Sequence, residues 1–201
     1  MKTAVFDIET TSLEGIGAGI MICACVRPLS TQRTKTYRLD YYKYEPSPEF
    51  GFFDRQEKDL LTDLLTELRS YDILIGHNIE NFDLGFLRTR AYRHSVQFDL
   101  SPITYDTMKA FGRVKLRTIA NAHTGKPVKS LAMIADLLGV DQEKTSIYPR
   151  EHWQNIWGSE NERVEAMDKI VDHCIKDVRM NARVYEILLP QDRSLNLKRW
   201  S

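Results

Sequence analysis

Two acidic residues interrupt an apolar segment near the N-terminus. Residues 3–9 are rich in β-branched and aromatic side chains and predict a β-strand, in which Asp7 and Glu9 stand two positions apart. Side chains at this spacing leave the same face of a strand, so the two carboxylates are neighbours. Burying two like charges is unfavourable unless a cation or protons compensate, and paired carboxylate oxygens suit Mg²⁺ or Mn²⁺. The alternative is a strand end whose acids reach solvent, and further acids are needed to decide.

Strand and helix patterns alternate along the rest of the chain. Hydrophobic periodicity predicts strands at 20–26, 34–39, 73–75 and 103–105, and helices at 54–68, 79–93, 130–138 and 159–189. The first and last of these helices begin with the spacing of a capping box, Asp54 to Glu57 and Ser159 to Glu162. The chain has 201 residues, 42% of them apolar, which is enough for one core. We therefore expect a single α/β domain over residues 1–201, with a mixed central sheet flanked by helices.

The composition excludes several classes of protein. The three cysteines, Cys23, Cys25 and Cys174, suit neither a disulfide framework nor a four-ligand zinc site, and we expect them to be small buried hydrophobic side chains. The longest uncharged apolar stretch, residues 15–26, is shorter than the ~20 residues that span a bilayer. Acidic residues also fall where a secretory signal would need an apolar run. These features predict a cytoplasmic protein with no membrane partner.

Two further acids follow predicted elements at positions where ligands bind. Asp83 comes shortly after the predicted strand 73–75, and α/β sheets place their ligands outside the carboxyl ends of strands. Asp177 lies at the edge of the apolar stripe of the last helix, and His173 lies one turn before it on the same face. Taken alone, Asp177 is an exposed acid of a charged helix and His173 is an ordinary core or surface histidine. Only their combination with the other acids points to a shared site.

Three segments together resemble the ordered motifs of DEDD-type 3'-to-5' exonucleases. They are Phe6-Asp-Ile-Glu-Thr10, Asn78-x-x-x-Phe82-Asp83, and a final acid, Asp177, on a late helix. The resemblance spans the chain from the first motif to the last in the right order, and it is strongest to the proofreading domain of family-B DNA polymerases. It implies a ribonuclease-H-like mixed sheet.

The resemblance also implies a role for each motif residue. Four carboxylates would surround two divalent metal ions, Mg²⁺ or Mn²⁺: Asp7, Glu9, Asp83 and Asp177. Asp7 would bridge both ions, Glu9 and Asp177 would complete one shell, and Asp83 would hold the second ion. His173 would orient the attacking water and accept its proton. The candidates for positioning the substrate are Thr10, Asn78 and Phe82, of which Phe82 is equally suited to the core.

The spacing of the histidine departs from the family pattern. One branch of the family has Tyr four residues before the last Asp, and the other has His five residues before it. Here His173 precedes Asp177 by four residues, so the spacing belongs to the Tyr branch and the residue type to the His branch. The subfamily and the identity of the general base stay open.

A basic segment is hidden by the formal net charge of zero. Residues 107–135 contain no acid, and they carry six basic residues: Lys109, Arg113, Lys115, Arg117, Lys126 and Lys129. We expect Lys115 and Arg117 to contact the phosphates of a single strand. A solvated loop that is balanced by acids elsewhere in the fold is the alternative.

The motifs favour a two-metal 3'-to-5' exonuclease that hydrolyses single-stranded DNA or RNA to nucleoside 5'-monophosphates, with a polymerase or another replication or repair protein as a possible partner. One alternative is a catalytically weak or inactive nucleic-acid-binding module that retains the fold. Another is an endonuclease of the same broader fold. The preference for DNA or RNA depends on groups around the 2'-position and does not follow from the motifs.

Overall fold

A computed structural model of the protein describes residues 1–11, 19–42, 53–113, 129–141, 155–156 and 158–192. Within them lie five strands: β1 (Thr3–Thr10), β2 (Met21–Pro28), β3 (Lys35–Arg38), β4 (Ile73–Gly76) and β5 (Ile103–Asp106). The same residues include five α-helices: α1 (Asp54–Leu68), α2 (Asp83–Arg93), α3 (Thr107–Arg113), α4 (Leu131–Leu137) and α5 (Glu160–Leu188). None of the helices in this part of the chain combines the length and the hydropathy that a membrane span requires.

The five strands form one mixed sheet in the order β3-β2-β1-β4-β5. The β1, β2 and β3 strands are antiparallel neighbours, whereas β4 and β5 run parallel to β1. The arrangement confirms the predicted α/β fold with a mixed sheet and is that of a ribonuclease-H-like protein. The central strand β1 pairs with β4 only from Thr3 to Val5, so its second half extends beyond the end of β4.

Helices cover the sheet and enclose a continuous apolar core. The longest helix, α5, packs on β1 and β2 through buried residues that include Cys174 and Val178, and α3 and α4 pack against it. The α1 and α2 helices pack against each other. All three cysteines are buried free thiols, as the sequence predicts.

The helix termini confirm one predicted capping box and contradict the other. The backbone N–H of Ser159 donates to Glu162 Oε2 over 2.8 Å, which closes the capping box at the start of α5. The α1 helix instead begins after Phe53, with no side-chain capping bond. Glu57 was predicted to cap this helix, but its side chain points into the core because it pairs there with the buried guanidinium group of Arg90.

Glu57 ties three elements of the fold together. Its Oε1 accepts hydrogen bonds from Arg90 Nε and from the Met21 backbone N–H, each over 2.8 Å. Its Oε2 is bound by the second guanidinium nitrogen of Arg90 and lies 2.8 Å from His94 Nε2. Burial alone would raise the pKa of Glu57, but the bonds from His94 and Arg90 outweigh burial and lower the pKa. Asp54 also converges on this cluster, yet the Arg90 charge neutralises Glu57 and gives the cluster a structural role.

We predict that Arg90→Met destabilises the protein by about 3–5 kcal/mol at neutral pH, because it leaves the Glu57 carboxylate buried without its guanidinium partner. Glu57 is 0% exposed and Arg90 is 2% exposed, so water cannot replace the lost bonds. Urea unfolding followed by circular dichroism measures the change.

The exposed pair between Lys35 and Glu67 provides the control, since Lys35→Met should change the free energy of unfolding by less than about 1 kcal/mol. The folded-state pKa of Glu57 lies below its unfolded value, so its stabilisation is present above the unfolded pKa and is lost as the pH falls through the folded pKa. The defect of Arg90→Met should therefore shrink as the pH falls through the ordinary range of a glutamate and below it, because the buried carboxyl of the variant then takes up a proton. A defect that is independent of pH would contradict a charged role for Glu57.

Candidate active site

The second half of β1 presents two carboxylates toward α5. Asp7 and Glu9 pair with Cys25 and Cys23 of β2 and point to the same face of the sheet. The Cys174 thiol on α5 lies 3.6 Å from Asp7 Oδ2 and 3.5 Å from the Asp7 carbonyl oxygen. The α5 helix therefore crosses directly over the acidic end of β1.

One turn of α5 adds a third acid and the histidine. His173 Nε2 lies 3.3 Å from Asp177 Oδ2 and 3.7 Å from Glu9 Oε1. The i, i+4 spacing places both side chains on the same helical face, and this face meets the strand. The structure thus brings His173, Glu9 and Asp177 together.

The fourth acid, Asp83, is the first residue of α2 and is 2% exposed. The Ile8 backbone N–H, on the part of β1 that β4 does not cover, faces Asp83 and partly offsets the effect of burial on its pKa. Asp83 Oδ1 is buried and has no hydrogen-bond partner among the described residues. A buried carboxylate oxygen without a partner is costly, so this atom points to a ligand.

A tight turn between β4 and α2 positions Asp83. Asn78 has a φ of +60°, and its carbonyl accepts from the backbone N–H groups of Asn81 and Phe82 over 3.2 Å and 3.0 Å. The Asn78 side-chain oxygen also accepts from Asn81 Nδ2 over 2.9 Å. The half-buried ring of Phe82 lies 6.1 Å from that of Phe86. Both predicted substrate residues of this motif therefore shape the turn that delivers Asp83.

Asp106 at the end of β5 is a site residue that the sequence analysis missed. It is buried, and its Oδ1 accepts from the backbone N–H groups of Asn78, Met108 and Lys109 over 3.0–3.2 Å. It thereby fixes the turn before Asp83 and the start of α3. The available signal was its position immediately after the predicted strand 103–105, as for Asp83.

A buried hydrogen-bond network joins α3 to α5 beside the acids. The Thr107 hydroxyl lies 2.8 Å from Asn181 Oδ1, one helical turn after Asp177. His77 lies 3.2 Å from the same hydroxyl through Nδ1 and 2.8 Å from the Lys129 carbonyl through Nε2. These contacts hold α5 in register with the turn after β4.

The electrostatics of the four acids are unfavourable without a counterion. Burial raises the pKa of Asp7 well above its usual value, and the charges of Asp83, Glu9 and Asp177 raise it further. Burial, reinforced by the charges of Asp106 and Glu9, also raises the pKa of Asp83 to about 8. Asp7 and Asp83 are thus hard to ionise beside their acidic neighbours.

The same negative charges also raise the pKa of His173, where they favour the charged form of the ring. Burial alone would lower its pKa, but the hydrogen bond and charge of Asp177, together with the charge of Glu9, outweigh burial and raise the pKa. The imidazole is thus drawn to the acids and lies at the edge of the cluster.

The donor set fits a hard divalent cation. Asp7, Glu9, Asp83 and Asp177 offer only carboxylate oxygens, the ligands that Mg²⁺ and Mn²⁺ prefer. Cys174 also converges on Asp7 and Glu9, but burial raises the pKa of its thiol, which stays protonated and unsuited to a hard ion. The uncompensated charge and the unpartnered Asp83 Oδ1 therefore fit metal binding.

Of the remaining predicted substrate residues, Thr10 directly follows Glu9, and the others lie outside the described residues. Thr10 is buried at the end of β1, where the register with β2 shifts. Lys115 and Arg117 belong to the residues that the structure does not describe. Of the same basic segment, Lys109 pairs with Glu80 and Arg113 pairs with Asp192, so these two charges are balanced within the fold.

Known proteins match this chain in sequence and in fold. The profile of the RNase_H superfamily matches residues 4–189. A DNA polymerase of Archaeoglobus fulgidus is 25% identical over 150 residues, covering 70% of this chain and 18% of the polymerase. The structure of the family B DNA polymerase from the hyperthermophilic archaeon Pyrobaculum calidifontis has a TM-score of 0.65 and 20% identity, covering 94% of this chain and 25% of that one. The chain spans well under a third of the length of these polymerases, and the structural likeness shows the fold.

We predict that Mg²⁺ or Mn²⁺ raises the melting temperature of the protein. At a hundredfold excess over the dissociation constant, binding should add about 2.7 kcal/mol, which corresponds to a shift of about 5–10 °C for a chain of this size. Asp7→Asn should lose the shift, and without metal it should be as stable as the wild type or more so, because a repulsive charge is removed. Differential scanning calorimetry with and without chelator measures both effects.

Glu165→Gln serves as the matched control, because Glu165 is an exposed acid of α5 whose partner is Lys169. It should keep the full shift of the wild type. An equal shift in Asp7→Asn would place the cation elsewhere.

Proposed function

The chain belongs to the RNase_H superfamily, and from that membership and the convergence of its carboxylates we propose that it is a two-metal 3'-to-5' exonuclease acting on single-stranded DNA or RNA. The similarity to family-B DNA polymerases agrees with an exonuclease domain of that polymerase type. The observation that carries the proposal is that the charges of Glu9, Asp83 and Asp177 all act on Asp7, beside a buried Asp83 oxygen that has no hydrogen-bond partner among the described residues. The products would be nucleoside 5'-monophosphates.

The four acids would divide between two cations. The charges of the other three acids all raise the pKa of Asp7, so this carboxylate is suited to contact both ions. Glu9 and Asp177 would share the first ion with it, and Asp83 would share the second. When bound, divalent cations at such a site activate water and stabilise the leaving oxygen of a phosphodiester.

His173 would orient the attacking water and accept its proton. Its Nε2 lies at the edge of the acid cluster, within 3.3 Å of Asp177 and 3.7 Å of Glu9, so a water beside these acids is within its reach. The four-residue spacing to Asp177 is that of the Tyr branch of the family, and it puts His173 on the helical face that carries Asp177.

The substrate and partner are inferred from chemistry and from the relatives. The matched proteins are DNA polymerases, which favours a nucleic-acid substrate and an association with a polymerase. Lys115 and Arg117 would contact the phosphates of the strand.

We predict that the protein shortens a 5'-labelled single strand progressively, only in the presence of a divalent cation. A bulky group on the 3'-hydroxyl should block the reaction, whereas a bulky group on the 5' end should not. Asp7→Asn should abolish cleavage and Glu165→Gln should not. Denaturing gels of the labelled products resolve the ladder.

Two outcomes would overturn this proposal in different ways. Early cuts in a circular single strand would show an endonuclease. Binding of the strand without cleavage under any cation would show the inactive binding module.

We predict that His173→Ala lowers the single-turnover rate by about 10²-fold or more, the usual scale of general-base catalysis. His173→Tyr should retain part of the activity, because position 173 already lies where the Tyr branch carries its phenol. Both variants should melt within a few degrees of the wild type, which separates a catalytic from a structural role. An unchanged rate in His173→Ala would remove His173 from the mechanism.

A further inference from the structure

A second charged surface lies away from the four carboxylates. The end of β2, residues 139–141 after α4, and the second half of α5 enclose a cavity of about 770 Å³, here called the basic groove. Its charged lining consists of four basic and two acidic residues: Arg27, Lys176, Arg179, Arg183, Asp141 and Glu186. The groove therefore carries a net positive charge in a protein that is neutral as a whole.

Three guanidinium groups meet in this groove. Arg27 lies two residues after Cys25 on β2, so both side chains leave the same face of the sheet, the one that α5 covers. Burial lowers the pKa of Arg27, and the charges of Arg179 and Arg183 lower it further. Like charges that the fold holds together are relieved by an anion.

Acidic neighbours offset the charge of the groove only in part. Lys176 pairs with Asp172 over 2.6 Å, and Glu186 raises the pKa of Arg27 less than burial and the two arginines lower it. Arg183 lies 3.4 Å from Glu186, and both side chains are well exposed, 71% and 49% respectively. Exposed ion pairs of this kind contribute little, so a ligand can displace Glu186 from Arg183.

The groove is close enough to the carboxylates to hold another part of the same ligand. Arg183 follows Asp177 by six residues, which corresponds to about 9 Å along the axis of α5. Arg27 is two residues from Cys25, the partner of Asp7 in the sheet, which is about 7 Å along the strand. A short stretch of nucleic-acid backbone, with its closely spaced charges, spans these distances.

We propose that the basic groove binds the phosphate groups of a nucleic-acid strand whose end lies at the four carboxylates. Guanidinium groups match the geometry of phosphate oxygens through paired hydrogen bonds. The described lining contains no aromatic residue on which a base could stack, so recognition goes to the backbone and is independent of sequence. The assignment of the strand rests on the proposed function, whereas the affinity for phosphate does not.

The test measures binding of the wild-type protein to a labelled single strand of about 20 nucleotides in chelator, by fluorescence anisotropy over a salt series. Arg27→Ala combined with Arg183→Ala should weaken binding about tenfold or more. It should also reduce the slope of log affinity against log salt by about 1.4, or about 0.7 for each lost contact. Arg55→Ala combined with Lys58→Ala removes the same charge from exposed positions of α1 and should leave affinity and slope unchanged.

A second arm uses a nucleoside 5'-monophosphate, observed by calorimetry, to separate the two sources of phosphate. Loss of mononucleotide binding with unchanged strand binding would overturn the strand assignment. Unchanged binding of both ligands would overturn the phosphate site itself. If the double variant fails to fold, Arg183→Glu alone changes an exposed side chain and should show the same direction of effect.

Cleavage by the wild type distinguishes failure of this proposal from failure of the proposed function. A protein that cuts strands but whose groove variants bind normally overturns the groove alone. A protein that never cuts but binds strands through the groove retains the groove and loses the exonuclease.

Discussion

The site depends on an unpaired stretch of the central strand. β1 continues to Thr10, but β4 follows it only as far as Val5, so the Ile8 N–H has no β4 carbonyl to meet. A buried N–H needs an acceptor, and the Asp83 carboxylate provides one. This contact places the Asp83 carboxyl group near Asp7 and Glu9, which directly precede and follow Ile8 on the strand. The acids can therefore come together because β4 ends early and leaves this side of β1 open to Asp83.

Four mutually repelling acids must then be held by the surrounding fold. Asp83 is the first residue of α2, and α2 is anchored to α1 and β2 through the buried pair of Arg90 with Glu57. Asp177 lies on α5, and the hydrogen bond between Thr107 and Asn181 connects α5 to the start of α3. Both anchors lie away from the acids, so they can oppose the repulsion without neutralising the charges. The surrounding fold therefore holds the acids in place while their mutual repulsion stays uncompensated. This combination favours strong binding of a cation.

Periodicity predicted the five strands and four of the five described helices, because these depend on local pattern, but it missed the short helix α3. Motif order singled out the four acids as candidates. The sequence did not show that Glu57 belongs to the core, since its spacing from Asp54 is that of a capping box and its true partner, Arg90, is 33 residues away. Asp106 was missed for a similar reason: its partners are backbone N–H groups, one of them in the distant turn at Asn78, and backbone donors leave no trace in a sequence. Long-range pairing decided both residues, and single-sequence patterns carry only short-range information.

The acid cluster and the basic groove, which both include residues of α5, differ in whether phosphate binding needs a cation. Asp177 faces the acid cluster, while Arg179 and Arg183 line the basic groove on the same helix. A phosphate approaching the cluster is repelled until cations neutralise the acids, so binding of cation and strand end must reinforce each other there. A phosphate in the groove meets guanidinium groups directly and needs no cation. If a strand binds as proposed, the groove would hold its backbone without a cation, whereas its end would be favoured at the cluster only with cations held by Asp7, Glu9, Asp83 and Asp177.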